Sequence, residues 1–256
     1  MAPKLVAVCL VFLPGLVIGW YNAMLDFPRE PSIENYVMWS PDQTESMQSA
    51  FSICSWFRSI STDTRNRWWI SYQAQPDQDV EDILMADSVN GASIFSTNMG
   101  VTSPLLEKRK WYHMCQTWDL STRTAYLYVD GKSVGSKGTA EGRKLPAGGI
   151  FVLGQEQDRP GSHFDANQAF VGQLYQLNMY GRALTGQEVE RLFNRGRCAS
   201  NDPNLLRDIV VSWWDVLEAP RSGEVRVKKS TCSAWHLVED YIDPDLLEHL
   251  LKYHDF

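Results

Sequence analysis

Residues 124–131, TAYLYVDG, constrain the fold more than any other stretch of the chain. Ala125, Leu127 and Val129 fall on one face of an extended backbone and Tyr126 and Tyr128 on the other, the period of two that a strand buried on one side requires. Asp130-Gly131 then supplies the residue types of a tight hairpin turn. Segments of the same kind recur as FSICSWFRSI from Phe51, RWWISYQA from Arg67, GGIFVLG from Gly148 and QLYQLNMY from Gln173. No Pro/Ser-rich linker, heptad run or internal repeat divides them. Many short strands between turn signals predict an all-β fold, a two-sheet sandwich or jelly roll, and the length suits one large domain of that class.

One short helix interrupts the pattern. Thr185 and Glu188 have capping-box spacing, Val189, Leu192 and Phe193 follow at helical spacing, and Gly196 can end the element. A second helix is expected in the tail, where Asp243 caps, Pro244 fits the first turn, and Leu246, Leu247, Leu250 and Leu251 make a narrow apolar stripe. Packing on its own domain is the simplest use of that stripe; an oligomer contact is the alternative.

Residues 1–19 carry one charge, Lys4, then an apolar run ending in small residues, the layout of a secretory signal peptide. The run is shorter than the roughly 20 residues a membrane-spanning helix needs. Cleavage after Gly19 or after Ala23 is open, with small residues favouring the first. The remaining chain has 23 basic and 31 acidic residues, a formal charge of −8. That balance argues against nucleic acid and against insertion into or binding to anionic membrane. Cys54, Cys115, Cys198 and Cys232 form an even set for an oxidising compartment, so two disulfides are expected, in any of three pairings. No two lie in a CxxC spacing, which argues against zinc. No Asn-x-Ser/Thr sequon occurs.

LGQEQDRPGSHFDANQ, residues 153–168, gathers Glu156, Gln157, Asp158, Asp165, Asn167 and Gln168 around Pro160 and Gly161. Hard cations such as calcium take about 6–8 oxygens from carboxylates, carbonyls and amides converging from a bent backbone. On an extended chain Glu156 and Asp158 project to the same side, and like charges so close repel unless a cation or proton joins them. By composition alone a solvated acidic loop explains the stretch as well as a metal site does. His163 is a bystander among these oxygens. A jelly-roll glycoside hydrolase also uses paired carboxylates, but its acids alternate on an apolar strand, whereas Gln157 separates these and Arg159-Pro160-Gly161 follows them.

Two stretches together carry a resemblance. HMCQTW, His113 to Trp118, resembles the pentraxin signature His-x-Cys-x-Ser/Thr-Trp-x-Ser/Thr at His113, Cys115, Thr117 and Trp118; Leu120 stands at the final position and departs from it. LGQEQD followed by FDANQAFVGQL is similar to the pentraxin calcium loop nearly residue for residue. The resemblance runs from about Phe51 to Cys198 and more weakly to Cys232, and it is closer to invertebrate members.

The resemblance implies a secreted, laminin-G/concanavalin-like jelly roll over about 24–232, with 233–256 as a helical extension. It also implies a pentamer-like cyclic homo-oligomer and two calcium ions per chain on one face. Glu156, Asp158 and Gln168 would supply side-chain ligands, with Asp158 shared, and Gln157 its main-chain carbonyl. Asp165 stands where vertebrate members carry Glu, so a shorter arm would serve the second ion. The family's earlier acidic pair falls on PDQDVEDIL, where Asp79 and Glu81 are the better candidates and Asp77 and Asp82 the alternatives. Cys54 would pair with Cys115 and Cys198 with Cys232, and Trp118 would be core. Ala86 falls where phosphocholine-binding members place an aromatic ring. The implied function is non-enzymatic, calcium-dependent, lectin-like recognition of surface glycans or phosphorylated headgroups in innate defence. A laminin-G-like adhesion module without calcium-dependent binding is the alternative, followed by a glycoside hydrolase.

Overall fold

The computed structural model describes residues 23–40, 42–63, 65–74, 82–87, 92–95, 97–99, 106–140, 142–197 and 207–230. The expected signal peptide, the tail helix, the Cys198–Cys232 pair, and Asp77, Asp79 and Glu81 lie outside them. Among the described residues two antiparallel sheets stack face to face. In the first, β10 (Lys132–Gly138), β9 (Thr124–Val129), β8 (Trp111–Asp119), β3 (Ala50–Ser59), β12 (Gly172–Tyr180), β1 (Ala23–Phe27) and β15 (Arg226–Lys229) lie in that order, and β13 (Ile209–Val211) pairs with β12. The second runs β14 (Arg221–Ser222), β2 (Tyr36–Trp39), β11 (Ile150–Leu153), β4 (Trp68–Gln73), β5 (Ile83–Ala86), β6 (Ser93–Ile94) and β7 (Thr97–Asn98). This is the jelly-roll sandwich that the alternating segments predict, and each of those segments is a strand.

The alternation sets the core. Phe51, Ile53 and Phe57 from β3, Met114 and Trp118 from β8, and Ala125 and Leu127 from β9 meet Ile70 and Tyr72 from β4, Ile83 and Met85 from β5, and Phe151 and Leu153 from β11. Trp118 is fully buried between the rings of Phe51 and Phe95, and its indole N–H donates to Thr139 Oγ1 at 3.1 Å. In the β9–β10 hairpin Asp130 and Gly131 both have positive φ, 49° and 76°, the turn that matches the strand twist. Gly131 is required twice over, since a Cβ there would also lie 3.1 Å from Glu190 Cα.

The outer face of the first sheet is covered by α1 (Gly186–Asn194). Its capping box is complete: Thr185 Oγ1 accepts from Glu188 N, and the Glu188 carboxylate accepts from Thr185 N. Arg182 grips that carboxylate with its two terminal guanidinium nitrogens, at 2.8 and 3.0 Å, and its hydrogen bonds hold the Glu188 carboxyl down at about 2. Val189 and Leu192 pack on Tyr128, Tyr180 and the Cys54–Cys115 disulfide. The two cysteines sit directly opposite each other on β3 and β8 with Cα atoms 4.1 Å apart, which is the pairing the resemblance implies.

A helix that the sequence reading did not anticipate, α2 (Trp213–Glu218), caps one end of the core. Ser212 and Asp215 form its capping box, Val216 and Leu217 are buried, and Trp213 donates to the Ala23 carbonyl at 2.8 Å.

Candidate functional site

The acidic loop is built onto the outer face of the second sheet. Ser71 and Gln73 alternate along β4 with the core residues Ile70 and Tyr72, so they point away from the core. Ser71 Oγ donates to the Gln155 carbonyl at 2.9 Å, and Gln73 Nε2 donates to the Asp158 carbonyl at 3.4 Å. Gln155 is fully buried and its Nε2 donates to the carbonyls of Ser32 and Asn35. The chain enters the loop through Gly154, with φ of 91° and its α-carbon so close to Phe27 that a Cβ would sit 2.3 Å from the ring. Only glycine fits there.

Gln157 is also fully buried. Its Nε2 donates to Ser71 Oγ (3.0 Å) and to the Ile150 carbonyl (3.1 Å), and its Oε1 accepts from Gly161 N (2.7 Å). The side-chain amide is thus committed to the protein beneath it, and what it can offer outward is its main-chain carbonyl. Asp158 is exposed, whereas Glu156 is 8% exposed. The chain then reverses at the Arg159–Ser162 bridge, passes His163 at a φ of 62°, and returns through Phe164, whose ring packs 5.2 Å from that of Tyr36.

Asp165 begins a tight turn. Its Oδ1 accepts from Asn167 N (2.8 Å) and Asn167 Nδ2 (3.0 Å), and its carbonyl accepts from Gln168 N (2.9 Å) and Ala169 N (3.1 Å). An Asx turn of this kind uses one carboxylate oxygen and leaves the second outside it. Two arms result: Glu156–Asp158 offers carboxylate and main-chain carbonyl oxygens and Asp165–Gln168 carboxylate, amide and carbonyl oxygens, together the donor set of a hard cation. Among the described residues the one group of three Asp, Glu, His or Cys ligand atoms all within 4.8 Å of each other is Cys54, His113 and Cys115, where the disulfide takes both sulfurs; the loop carboxylates do not form a second.

Asp82, one alternative for the earlier acidic arm, is occupied elsewhere. It is 3% exposed, its Oδ2 accepts from Ala74 N at 3.3 Å, and its Oδ1 lies 3.5 Å from Arg143 Nη2. It closes the β4–β5 connection. Sequence reasoning missed a different group, Asp63, Arg65 and Arg67, which reaches the loop from the β3–β4 connection through Asn167 and the carbonyls of Ala166 and Ala169. Only their spacing before RWWISYQA could have hinted at it.

Comparison with known proteins identifies the family. The family model described as the Pentaxin family matches residues 23–228. Human neuronal pentraxin-2 is 33% identical over 187 residues, which are 72% of this chain and 41% of that protein, so the chain spans about two-fifths of such relatives. Rat serum amyloid P-component is 32% identical over 203 residues, 79% of this chain and 83% of that one. Among solved structures, the native heptameric SAP-like pentraxin of Limulus polyphemus superposes with a TM-score of 0.67 at 20% identity, covering 84% of this chain and 98% of that chain, a likeness of fold. The family model spans the described strands up to the next-to-last residue of β15 and includes both stretches that carry the resemblance, so the chain belongs to the pentraxin family.

Proposed function

We propose that this chain is a secreted, non-enzymatic recognition protein that binds glycan, phosphate or other anionic groups on microbial or cell surfaces through calcium held by the loop at 154–168. The observation that carries the proposal is the pair of oxygen-rich arms anchored on the outer face of the second sheet of a pentraxin, with Gln157 turned so that its carbonyl is what remains to offer. Glu156, Asp158, Asp165 and Gln168 would be the side-chain ligands, joined by an acid from Asp79 or Glu81. Bound calcium supplies positive charge and exchangeable coordination positions for a ligand's oxygens. The loop's own work is to hold mutually repelling carboxylates in one loop, Glu156 buried and Asp158 exposed. With Ala86 at the position discussed above, and fully buried, nothing there covers a choline group, and a phosphate, carboxylate or vicinal-hydroxyl pair is the favoured ligand chemistry.

Calorimetric titration of the chelator-stripped protein with calcium tests the proposal. About two sites per chain are expected, with loss of surface binding in EDTA. No binding at millimolar calcium, together with a monomeric mass, would leave the laminin-G-like adhesion module as the better account.

A further inference from the structure

Arg67 lies one residue before β4, and its side chain is only 4% exposed. An arginine is rarely buried so far unless its donors are used. Its Nη1 donates to the main-chain carbonyls of Ala166 and Ala169, both at 3.1 Å, and its Nη2 to Asp63 Oδ2 at 2.6 Å. These two carbonyls bracket Asn167 and Gln168 and follow directly on Asp165. Arg65, from the same connection, donates Nε to Asp63 Oδ2 at 3.1 Å and Nη1 to the side-chain oxygen of Asn167. Asn167 donates both its N–H and its amide to Asp165, and Trp68 N donates to the Gln168 carbonyl at 2.9 Å.

A continuous chain of hydrogen bonds therefore runs from Asp63 through two arginines to the turn that presents Asp165 and Gln168. Its bonds end on the loop, at two main-chain carbonyls and the Asn167 side chain, not in the core. Guanidinium charge this near a cation site would oppose the ion, but Asp63 sits against both arginines and offsets part of that charge. Burial alone would raise the Asp63 carboxyl, yet the hydrogen bonds from Arg67 and Ser61 overcome it and hold it at about 2, so Asp63 is a carboxylate at neutral pH.

We propose that Asp63, Arg65 and Arg67 form a clasp that holds the Asp165–Gln168 arm in its ligand-ready shape before an ion arrives, with Arg67 as the positioning residue. The proposal rests on reading 154–168 as a calcium loop. Partners behind metal ligands commonly set affinity through orientation, and Arg67 does so here by fixing two peptide planes with Nη1 while Asp63 holds Nη2, the other prong of its fork.

The test compares calcium affinity and melting temperature, with and without EDTA, for the full chain and for Arg67→Lys, which keeps the charge and loses the fork. Calcium affinity should fall roughly tenfold, in the range for loss of an outer-shell partner. The calcium-induced rise in melting temperature should shrink, while the melting temperature in EDTA stays nearly constant. Arg65→Gln, at a position 55% exposed and safe for folding, should lower affinity by less and carries the test if Arg67→Lys does not fold. Unchanged affinity in both variants, with any loss of melting temperature equal in calcium and EDTA, would overturn the clasp and leave the calcium reading standing. An unmodified chain that binds no calcium would overturn both.

Discussion

Gln157 uses its whole side-chain amide to seat the loop, making three internal bonds from full burial. Gln157→Leu should cost about 1–3 kcal/mol, since the part-buried Gly161 N–H loses its acceptor and Ser71 Oγ loses one of its two bonds, and should weaken calcium binding as the loop loosens. Urea unfolding and calorimetry check both; unchanged values would mean the loop is held elsewhere. His113 makes a second residue-scale case. It is buried against Trp56 and Phe193, its Nδ1 has no hydrogen-bond partner among the described residues, and desolvation pushes its imidazole down to about 3. Folded His113 stays neutral where the unfolded chain takes up a proton, so its contribution is complete above the ordinary histidine range and is lost as pH falls from about 6.5 toward 3. The limiting slope is about 1.4 kcal/mol per pH unit. His113→Leu should flatten the pH dependence of stability between pH 6 and 4, and parallel curves for the two proteins would refute this. Neither internal role was legible from residue type: the resemblance named Gln157 for its main-chain carbonyl and His113 only as a signature position.

At the level of elements, legibility followed how local the determinants are. The β9–β10 hairpin and α1 were readable because turn residues, apolar spacing and cap all fall within about ten residues of each other. The helix α2 was not: it has six residues, an Asp where a capping box more often has Glu or Gln, and a preceding Ile-Val-Val that reads as strand. Strands β6 and β7 have two residues each, too few to show a period. Asp82 shows the same limit, since an acid in an acid-rich stretch looks like a ligand until Arg143, far along the chain, is found beside it. The hairpin offers a sharp test. Gly131→Ala should destabilise by more than about 1 kcal/mol, because φ is positive there and the added methyl meets α1 at Glu190 and Phe193. Loss of helix packing should follow as increased reducibility of the Cys54–Cys115 disulfide, read by thiol labelling; a stable variant with an unreactive disulfide would show that α1 can shift freely.

For the whole molecule the decisive feature is that its two outer faces carry different things: α1 and the disulfide on the first sheet, the acidic loop on the second. In a closed ring of identical subunits every copy turns the same face the same way, so all loops would lie on one side. A cyclic assembly of this chain is a proposal, and the apolar stripe expected at 243–251 is a candidate contact for it. Each site alone should be weak. Joining several on one rigid face can raise apparent affinity for a surface by about 10²–10⁴ without a new contact. The expected outcome is tight calcium-dependent retention on a densely substituted glycan surface, weak binding of the same group offered singly, and unchanged calcium stoichiometry per chain in both. Deleting the residues after Asp243 should lower the mass seen by light scattering and, with it, surface retention, while leaving calcium binding per chain intact. If mass falls and retention does not, affinity resides in the single site; if mass is unchanged, the tail has no part in assembly and its apolar stripe packs on its own domain.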